Sequence, residues 1–245
     1  MTEVDTTMEI IDSHTHWGPS VTMATEVTTE ELLRQAEQSR VSRIVIFPFP
    51  SMALADEGIN QRLLNEAEKI EKFIPYYYVP ETMKPIPNGK GFYGGKWHWM
   101  RGIQDSSSNY HALEDPKLED FIESSEEINL PIVFEEELAF TEAFVRKTKN
   151  LKLIIPHLGM LGGNPTDFLS TFKAKENVYF DTALASSGMV MKFIEKIGYE
   201  RILFGSDIPF GTVKSELEKV VSLPVGDDKK EWILSKNLKK LIRLK

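Results

Sequence analysis

The sequence has no cysteine, no long apolar run and no excess of positive charge. Without cysteine the chain can form neither a disulfide framework nor a thiolate zinc site, and it has no cysteine nucleophile. Its apolar runs are all shorter than the ~18 residues of a membrane span, and residues 1–7, MTEVDTT, lack the apolar core of a signal peptide. The net charge of -8 argues against broad contact with phosphates. We therefore expect a cytoplasmic protein that binds neither nucleic acid nor membranes, in which His, Asp or Glu must hold any metal ion.

Short apolar segments alternate with amphipathic segments along the chain. Eight strands are predicted, in EIIDSH, RIVIFPF, FIPYYYVP, RGIQ, LPIVFEE, LKLIIPH, NVYFD and RILFGSD. Helical patterns cover residues 28–39, 58–70, 115–128, 141–148, 165–175, 187–197 and 227–243. Because parallel neighbours need crossover connections, the alternation predicts an α/β fold, a single (β/α)8 TIM barrel over residues 1–245. The alternative is an open doubly wound sheet, which would want a glycine-rich phosphate turn where this chain has His-Thr-His-Trp-Gly-Pro.

Two of the five histidines lie at the end of the first predicted strand. His14 and His16 are separated by one residue, so on an extended strand both side chains point to one face, with Cα atoms roughly 6–7 Å apart. Two imidazoles at this spacing can bind one ion through bonds of about 2.0–2.1 Å. Barrel enzymes build their active sites at this end of the strands. The pair therefore indicates a metal site, with hydrogen-bonded core histidines as the alternative.

Three further strands end in residues that can bind a metal ion. The fifth ends in Glu135, Glu136 and Glu137, the sixth in His157, and the eighth in Asp207. Alternation places Glu135 and Glu137 on one face. A buried carboxylate is costly unless a cation compensates its charge. Each residue alone has an ordinary explanation, as a solvated loop residue or a helix cap, but together they predict one cluster at the mouth of the barrel.

The segments IIDSHTH, IIPHLG, VYFDTA, ILFGSDIPFG and ILSKNLKKLIRL resemble the amidohydrolase superfamily, specifically its amidohydrolase-2 branch. This branch includes metal-dependent hydrolases and aminocarboxymuconate-semialdehyde-decarboxylase-like proteins. The resemblance extends from residue 9 to about residue 243 and implies a (β/α)8 barrel with a divalent metal ion, usually zinc. It implies that His14, His16 and Asp207 are metal ligands, that Asp207 also handles the proton of the water, and that His157 lies beside that water or on the metal.

One position departs from the family pattern. The family commonly has a histidine after the fifth strand, in a phrase such as lPvvfH, where this chain reads LPIVFE and has Glu135. A glutamate oxygen can bind zinc at about 2.0–2.2 Å, so the resemblance implies a site of His14, His16, Glu135 and Asp207, with His157 as a further candidate ligand. The added carboxylate shifts the preference toward manganese or magnesium. We expect one divalent ion, zinc first, with a second ion bridged by Glu135 as the alternative.

These residues predict a metal-dependent hydrolase that activates water to attack an amide, lactone or ester of a small molecule. The metal ion would lower the pKa of a bound water from 15.7 toward about 7. Asp207 would accept the proton, and His157 would stabilise the oxyanion or protonate the leaving group. The alternatives are a metal-dependent non-oxidative decarboxylase of a small carboxylic acid, and a catalytically inactive barrel that acts as a binding protein. A homo-oligomer is compatible with the sequence.

A glycine-rich segment between the third and fourth predicted strands, NGKGFYGGKWHWMRG, predicts a mobile lid over the site. Aromatic rings and a cation on such a lid can stack on a planar substrate and pair with its carboxylate. The alternative is a loop that its tryptophans pin to the barrel rim. The candidate substrate-binding residues are Trp97, His98, Trp99 and Arg101 in this segment, and Trp17 and Phe210 beside the metal motifs.

Overall fold

Strands and helices alternate along the part of the chain that the computed structural model describes, which comprises residues 8–56, 58–102 and 105–244. The strands are β1 (Ile11–Ser20), β2 (Thr25–Val27), β3 (Arg43–Pro48), β4 (Phe73–Tyr78), β5 (Gly94–Trp97), β6 (Met100–Gly102), β7 (Asp105–Ser108), β8 (Ile132–Phe134), β9 (Leu153–Ile155), β10 (Val178–Asp181) and β11 (Ile202–Leu203). The helices are α1 (Thr29–Gln38), α2 (Pro50–Ala55), α3 (Ile59–Ala67), α4 (Lys117–Ile128), α5 (Leu138–Lys147), α6 (Pro165–Phe172), α7 (Ser187–Ile197), α8 (Val213–Val221), α9 (Asp227–Glu231) and α10 (Asn237–Ile242). Shorter turns are 3₁₀-helical at Tyr110–Leu113, Pro156–Gly159 and Tyr199–Arg201, and π-helical at Trp232–Lys236.

Nine strands of the described ranges form one curled sheet, in the order β11-β10-β9-β8-β5-β4-β3-β1-β2. Strand β2 pairs antiparallel with β1, and the other neighbours are parallel. The chain after β11 returns to β1, where the Ser13 N–H donates to the Phe204 carbonyl at 2.9 Å and the Asp207 N–H donates to the His14 carbonyl at 2.8 Å. Strand β1 is therefore bonded to β3 on one side and to residues 204–208 on the other. The carboxyl ends of the first and last parallel strands consequently lie side by side.

Alternation along the strands divides the buried core into two clusters. In β3, Ile44 and Ile46 belong to the larger cluster, between the sheet and the surrounding helices, whereas Val45 and Phe47 belong to a smaller cluster inside the curl. Leu238 and Leu241 of α10 also pack in the inner cluster. The inner face of the sheet therefore has an apolar core of its own, separate from the core between the sheet and the helices.

The predicted fourth strand, RGIQ, is wrong, because β5 lies between β4 and β8 instead. A Cβ atom on Gly94 would lie 2.5 Å from the Tyr76 ring and 2.8 Å from the Pro131 carbonyl oxygen, so this strand position accommodates only glycine. A strand that begins with two glycines lacks the apolar alternation used for prediction. The first two residues of RGIQ lie in β6, and the last two lie outside the described residues. The segment predicted as a lid thus supplies a strand of the main sheet.

The helices agree with the sequence pattern in most places. Thr28 caps α1 as predicted, since its hydroxyl accepts a hydrogen bond from the Glu31 N–H at 3.2 Å. Helix α2, which is short, is not among the predicted helices, and neither is α8, although Val213, Leu217 and Val220 of α8 have the spacing of one helical face. Within the described residues, the helices are too short or too polar to cross a membrane. Residues 1–7, on which the predicted cytoplasmic location depends, lie outside the described part.

Candidate metal centre

The middle of β1 places two imidazoles in the interior of the mouth. The pairing of β1 with β3 shifts between Asp12 and Thr15, so a bulge interrupts the simple alternation at His14. The Asp12 carboxylate consequently accepts hydrogen bonds from the backbone N–H groups of His14, at 3.1 Å, and Ser206, at 3.0 Å. His14 and His16 are both buried. The bulge thus leaves Asp12 as a backbone anchor and the two histidines as the groups that face the site.

Asp207 completes a group of three possible metal ligands. Its Oδ1 atom lies 3.3 Å from His14 Nε2 and 3.3 Å from His16 Nε2. One ligand atom from each of the three residues lies within 4.8 Å of the other two, and all three residues are buried. The φ angle of Asp207 is 55°, in the left-handed region, and its N–H is bonded to the His14 carbonyl. The tight turn after β11 therefore holds this carboxylate against the histidines of β1.

The unsatisfied atoms of this group fit a divalent cation. Asp207 Oδ1 and His14 Nε2 are buried and have no hydrogen-bond partner in the described part of the chain. Leaving such atoms unpaired costs roughly 1–3 kcal/mol each. Ligand atoms that bind one tetrahedral ion at about 2.0–2.1 Å lie about 3.3 Å apart. The distances of 3.3 Å from Asp207 to the two nitrogens match that spacing.

Asp181, at the end of β10, orients the histidine ligand and was not singled out as a site residue by the sequence. Its Oδ2 atom lies 2.8 Å from His14 Nδ1. Its Oδ1 atom accepts hydrogen bonds from the N–H groups of His157, at 2.9 Å, and Ala183, at 3.1 Å. A proton on His14 Nδ1 leaves the lone pair of Nε2 free to bind a metal ion. The signal in the sequence is an acidic residue at the end of an apolar strand, VYFD, the same position that Asp207 has after RILFGS.

His157 lies beside the three ligand atoms without joining their group. It follows β9 with a φ angle of 53°, and its Nε2 atom lies 3.1 Å from Asp207 Oδ2. The ring is buried, and its centroid lies 4.8 Å from that of His14. Asp207 therefore presents one oxygen to the ligand pair of β1 and the other to His157.

The histidines differ in the protonation state that their surroundings favour. Burial lowers the pKa of His16 to about 4, so this ring is neutral and able to coordinate a metal ion. Burial also opposes protonation of His157, but the carboxylates of Asp207, Glu135 and Asp181 outweigh it and raise its pKa. Burial opposes ionisation of Asp207, yet the neighbouring imidazoles hold the pKa of its carboxyl below the ordinary value. The site thus combines a neutral ligand, an ionised carboxylate and a histidine that can carry a proton.

The predicted ligand Glu135 pairs with a lysine. Its carboxylate forms a short ion pair with the ammonium group of Lys96, which is completely buried at the end of β5. Burial opposes ionisation of Glu135, but Lys96 and three nearby histidines hold the pKa of its carboxyl well below the ordinary value. His98 Nδ1 lies 2.5 Å from the Glu135 carbonyl oxygen. The structure therefore brings Glu135 to the mouth, although outside the group of three possible ligands formed by His14, His16 and Asp207.

The family model described as amidohydrolase matches residues 95–244, which is more than half of the chain. The chain belongs to the amidohydrolase family. Members of this family are enzymes. The matched range contains Glu135, His157 and Asp207, whereas His14 and His16 precede it. No curated protein matches the sequence significantly.

Three solved structures illustrate the similarity of the fold. One is a dihydroxybenzoic acid decarboxylase from Polaromonas sp. JS666 with bound manganese and an inhibitor, 2-nitroresorcinol, with a TM-score of 0.74, 12% identity and 97% coverage of both chains. Another is a probable 2-pyrone-4,6-dicarboxylic acid hydrolase from Acinetobacter baumannii with citric acid bound, with a TM-score of 0.76, 16% identity, and coverage of 97% of this chain and 100% of that one. The third is an amidohydrolase from Burkholderia multivorans with bound zinc, with a TM-score of 0.77, 12% identity, and coverage of 97% and 100%. At these identities the likeness establishes a common fold.

Two of the predicted substrate-binding residues of this amidohydrolase lie away from the ligand group. The rings of Trp97 and Trp99 stack at 3.8 Å and are buried, and Trp97 packs against Phe121 of α4 and Phe144 of α5. Trp97 therefore joins the sheet to its helices, because the glycine-rich segment that carries it forms β5, and Trp99 stacks on Trp97.

The other predicted substrate-binding residues lie nearer the mouth or are not described. Phe210 is 55% exposed, and its ring lies edge-on to His16 at 5.8 Å. Trp17 is half-buried and donates a hydrogen bond to the Thr29 hydroxyl at 3.1 Å. Arg101 lies in β6, and its side chain is outside the described part of the structure. Phe210 and His98 are thus the predicted substrate-binding residues that have a contact with the site.

Glu136 links the main sheet to the β6–β7 hairpin. It is buried, and its Oε1 atom accepts a hydrogen bond from the Trp99 N–H at 2.7 Å, just before the hairpin. Its side chain is also bonded to Ser108, at the end of the hairpin. Burial raises the pKa of Glu136 from 4.5 to about 8. The folded protein therefore favours the neutral form of this carboxyl group.

Replacing Glu136 by glutamine is expected to stabilise the fold at alkaline pH. Because the folded state binds this proton more tightly than the unfolded state does, the free energy of unfolding falls as the pH rises from 4.5 to about 8. Glutamine stays neutral. When the pH is raised from about 5 to about 9, the free energy of unfolding of Glu136→Gln should therefore increase relative to that of the wild type by on the order of a few kcal/mol. Urea denaturation at both pH values measures the gain, and the exposed Glu123→Gln serves as the control. An equal difference at the two pH values would contradict the assignment.

Proposed function

We propose that this protein is a metal-dependent hydrolase that activates water to attack an amide, lactone or ester of a small molecule. The observation that carries the proposal is the buried group of His14, His16 and Asp207, whose unsatisfied atoms have the spacing of metal ligands. The proposal is further supported by His157, which lies 3.1 Å from the second oxygen of Asp207. A nucleophile held by the ligand group would thus lie next to groups that can accept and donate protons.

The residues of the site have separate roles in the proposed reaction. His14, His16 and Asp207 would hold the metal ion, and Asp181 keeps the Nε2 atom of His14 directed at it. When bound, a divalent ion supplies water activation and polarisation of the substrate carbonyl. The ionised Asp207 accepts a proton from the attacking water through Oδ2, and His157 carries a proton to the leaving group.

The set of ligands favours zinc. Two imidazole nitrogens and one carboxylate oxygen form a three-ligand catalytic zinc site with one open position. Manganese and magnesium are the alternatives, because they prefer carboxylate oxygens and Asp207 supplies one. Zinc and manganese both occur in the similar structures described above. We propose one ion for each chain.

We also propose that the chain is a single domain whose eight parallel strands close as a (β/α)8 barrel. The hydrogen bonds from β1 to residues 204–208 support this closure. A small molecule would enter the mouth of such a barrel between the exposed ring of Phe210 and the ring of His98. The remaining predicted substrate-binding residues, Trp17 and Arg101, would lie at the rim.

Decarboxylation is the second candidate reaction, and it is supported by the similarity to a dihydroxybenzoic acid decarboxylase. The same ligand group would then hold the carboxylate end of a small acid, and Asp207 or His157 would deliver a proton to carbon. An inactive barrel that binds a small molecule is the third candidate. The intact set of His14, His16, His157 and Asp207 argues against it.

Isotope labelling distinguishes the three candidates. We expect the zinc-loaded or manganese-loaded protein to hydrolyse members of a panel of lactones, N-acyl amino acids and aryl esters, with one ¹⁸O atom from H₂¹⁸O in the product carboxylate. A parallel panel of aromatic carboxylic acids in D₂O tests for CO₂ release and deuterium on carbon. Chelator-treated protein is the control. Release of CO₂ without hydrolysis would establish the decarboxylase instead, and binding without turnover in either panel would favour the inactive barrel.

A further inference from the structure

The two histidines of the candidate metal centre differ in what holds their rings. The Nδ1 atom of His14 lies 2.8 Å from Asp181 Oδ2, whereas the Nδ1 atom of His16 is buried and has no hydrogen-bond partner among the described residues. A metal-binding histidine almost always donates its second N–H to a carboxylate, a carbonyl or water, and this bond fixes the orientation of the ring. The orientation of His16 therefore depends on contacts of another kind.

Three phenylalanine rings surround the ring of His16. Phe49 stacks on it, with 4.5 Å between the ring centroids and 10° between the ring planes. Phe47 and Phe210 lie edge-on to it, with centroids at 5.0 Å and 5.8 Å. These distances and orientations are those of favourable aromatic pairs. The ring of His16 consequently cannot turn without displacing a neighbour.

The segment FPFP, residues 47–50, fixes the backbone that carries two of these rings. Each phenylalanine precedes a proline, which restricts it to an extended backbone conformation, and Phe49 has a φ angle of −63° and a ψ angle of 142°. Phe49 is buried, and its carbonyl oxygen accepts hydrogen bonds from the N–H groups of Met52, at 3.1 Å, and Ala53, at 3.0 Å, where α2 begins. The ring that stacks on His16 thus has a rigid support.

We propose that Phe49 is a positioning residue that holds the ring of His16 in the orientation that binds the metal ion, as Asp181 does for His14. The stacked ring keeps His16 Nε2 directed at Asp207 Oδ1, which lies 3.3 Å away. A ring that is free to turn would lose conformational entropy on binding the ion, and the affinity would fall accordingly. The inference rests on the proposed metal function and adds to it the residue that orients the second imidazole.

Replacing Phe49 by leucine is expected to raise the Kd for Zn²⁺ by about 10–100-fold, the usual effect of removing a group that orients a ligand. Competition titration against a chromophoric chelator measures the Kd. Phe49→Tyr keeps the ring and should bind zinc as the wild type does. Phe49→Met, whose flexible side chain fills the space without a planar ring, serves where Phe49→Leu does not fold.

Phe172→Leu is the matched control for the loss of a buried ring. Phe172 belongs to the same core cluster as Phe49, and it lies in α6 next to Phe168. Thermal denaturation should show a loss of stability in both leucine variants, whereas only Phe49→Leu should lose zinc affinity. Unchanged affinity in folded Phe49→Leu, or an equal loss in Phe172→Leu, would overturn the inference.

NMR spectra of the imidazole nitrogens test the same inference without metal. In the metal-free wild type we expect one sharp set of His16 ring signals, and in Phe49→Leu we expect doubled or exchange-broadened His16 signals beside sharp signals of His14. A single sharp His16 set in Phe49→Leu would mean that the ring needs no support from Phe49. An absence of zinc binding from the wild type would contradict the proposed metal function, and the spectra would then decide the role of Phe49 by themselves.

Discussion

Replacing His14 and His16 together by alanine is expected to reduce bound metal to background and to abolish turnover. The two neutral nitrogens provide the part of the binding that does not depend on carboxylate charge, and Asp207 alone cannot hold an ion in water. Loss of a group that merely orients a ligand lowers metal affinity by about 10–100-fold. Removal of two ligands should therefore exceed about 100-fold in affinity. Elemental analysis of the purified protein and metal titration measure the effect.

The exposed His111→Ala is the matched control for this experiment, because it removes an imidazole from the surface and leaves the buried ligand group intact. Loss of His14 also leaves the buried Asp181 without its imidazole partner, which costs on the order of 1–3 kcal/mol. Thermal denaturation of the double variant therefore has to accompany the metal measurement. An unchanged metal content in a folded double variant would mean that the metal binds elsewhere.

Asp207→Asn is expected to lose about 10²–10⁴-fold in kcat while retaining part of the metal affinity. The amide oxygen can still face the histidines of β1, but an amide cannot accept a proton at neutral pH. The second contact changes as well, since the Oδ2 atom that lies 3.1 Å from His157 Nε2 is no longer a carboxylate oxygen. Steady-state kinetics at saturating metal separates the two effects. The exposed Asp228→Asn should behave as the wild type.

The metal dependence of the Asp207→Asn variant decides the role of this residue. If excess metal restored the wild-type rate, Asp207 would serve only as a metal ligand. Another group would then accept the proton of the water, and His157 would be the first candidate. A rate that stays low when the site is full of metal would support both assigned roles. His157 lies 3.1 Å from the same carboxylate. The variant His157→Asn, assayed at saturating metal in the same way, tests whether His157 is the general acid.

Several features of the site were predictable because they depend on local patterns. His14 and His16 are recognisable from their spacing at the end of an apolar strand, and His157 and Asp207 from the same position after β9 and β11. Parallel strands of one sheet end at the same edge, so residues in these positions are expected to converge. In the structure the carboxylate of Asp207 lies within 3.3 Å of ring nitrogens of His14, His16 and His157.

Other features were not predictable from the pattern. Strand β5 begins with two glycines that are required by the close approach of Tyr76 and the Pro131 carbonyl, and such a segment is read as a loop. Strict alternation would place Asp12 on the same face as the two histidines, but the pairing of β1 with β3 shifts after Asp12, and its carboxylate accepts hydrogen bonds from the backbone N–H groups of His14 and Ser206. Both cases depend on the neighbouring strand, which a single segment of sequence does not reveal.

The amino-acid sequence by itself determined the family, the alternation of strands and helices, and the residues that can bind a metal ion. Only the tertiary structure decided which of these residues share contacts. Glu135 was equally suited to bind metal or to pair with a cation, and the pairing of β5 with β8 placed Lys96 against it. Asp181 was one acidic strand end among several until the fold placed it 2.8 Å from His14. The sequence determines the chemical type of each residue. The partner of a buried charge depends instead on distances between segments that are far apart in the chain, and only the packing of the sheet sets those distances.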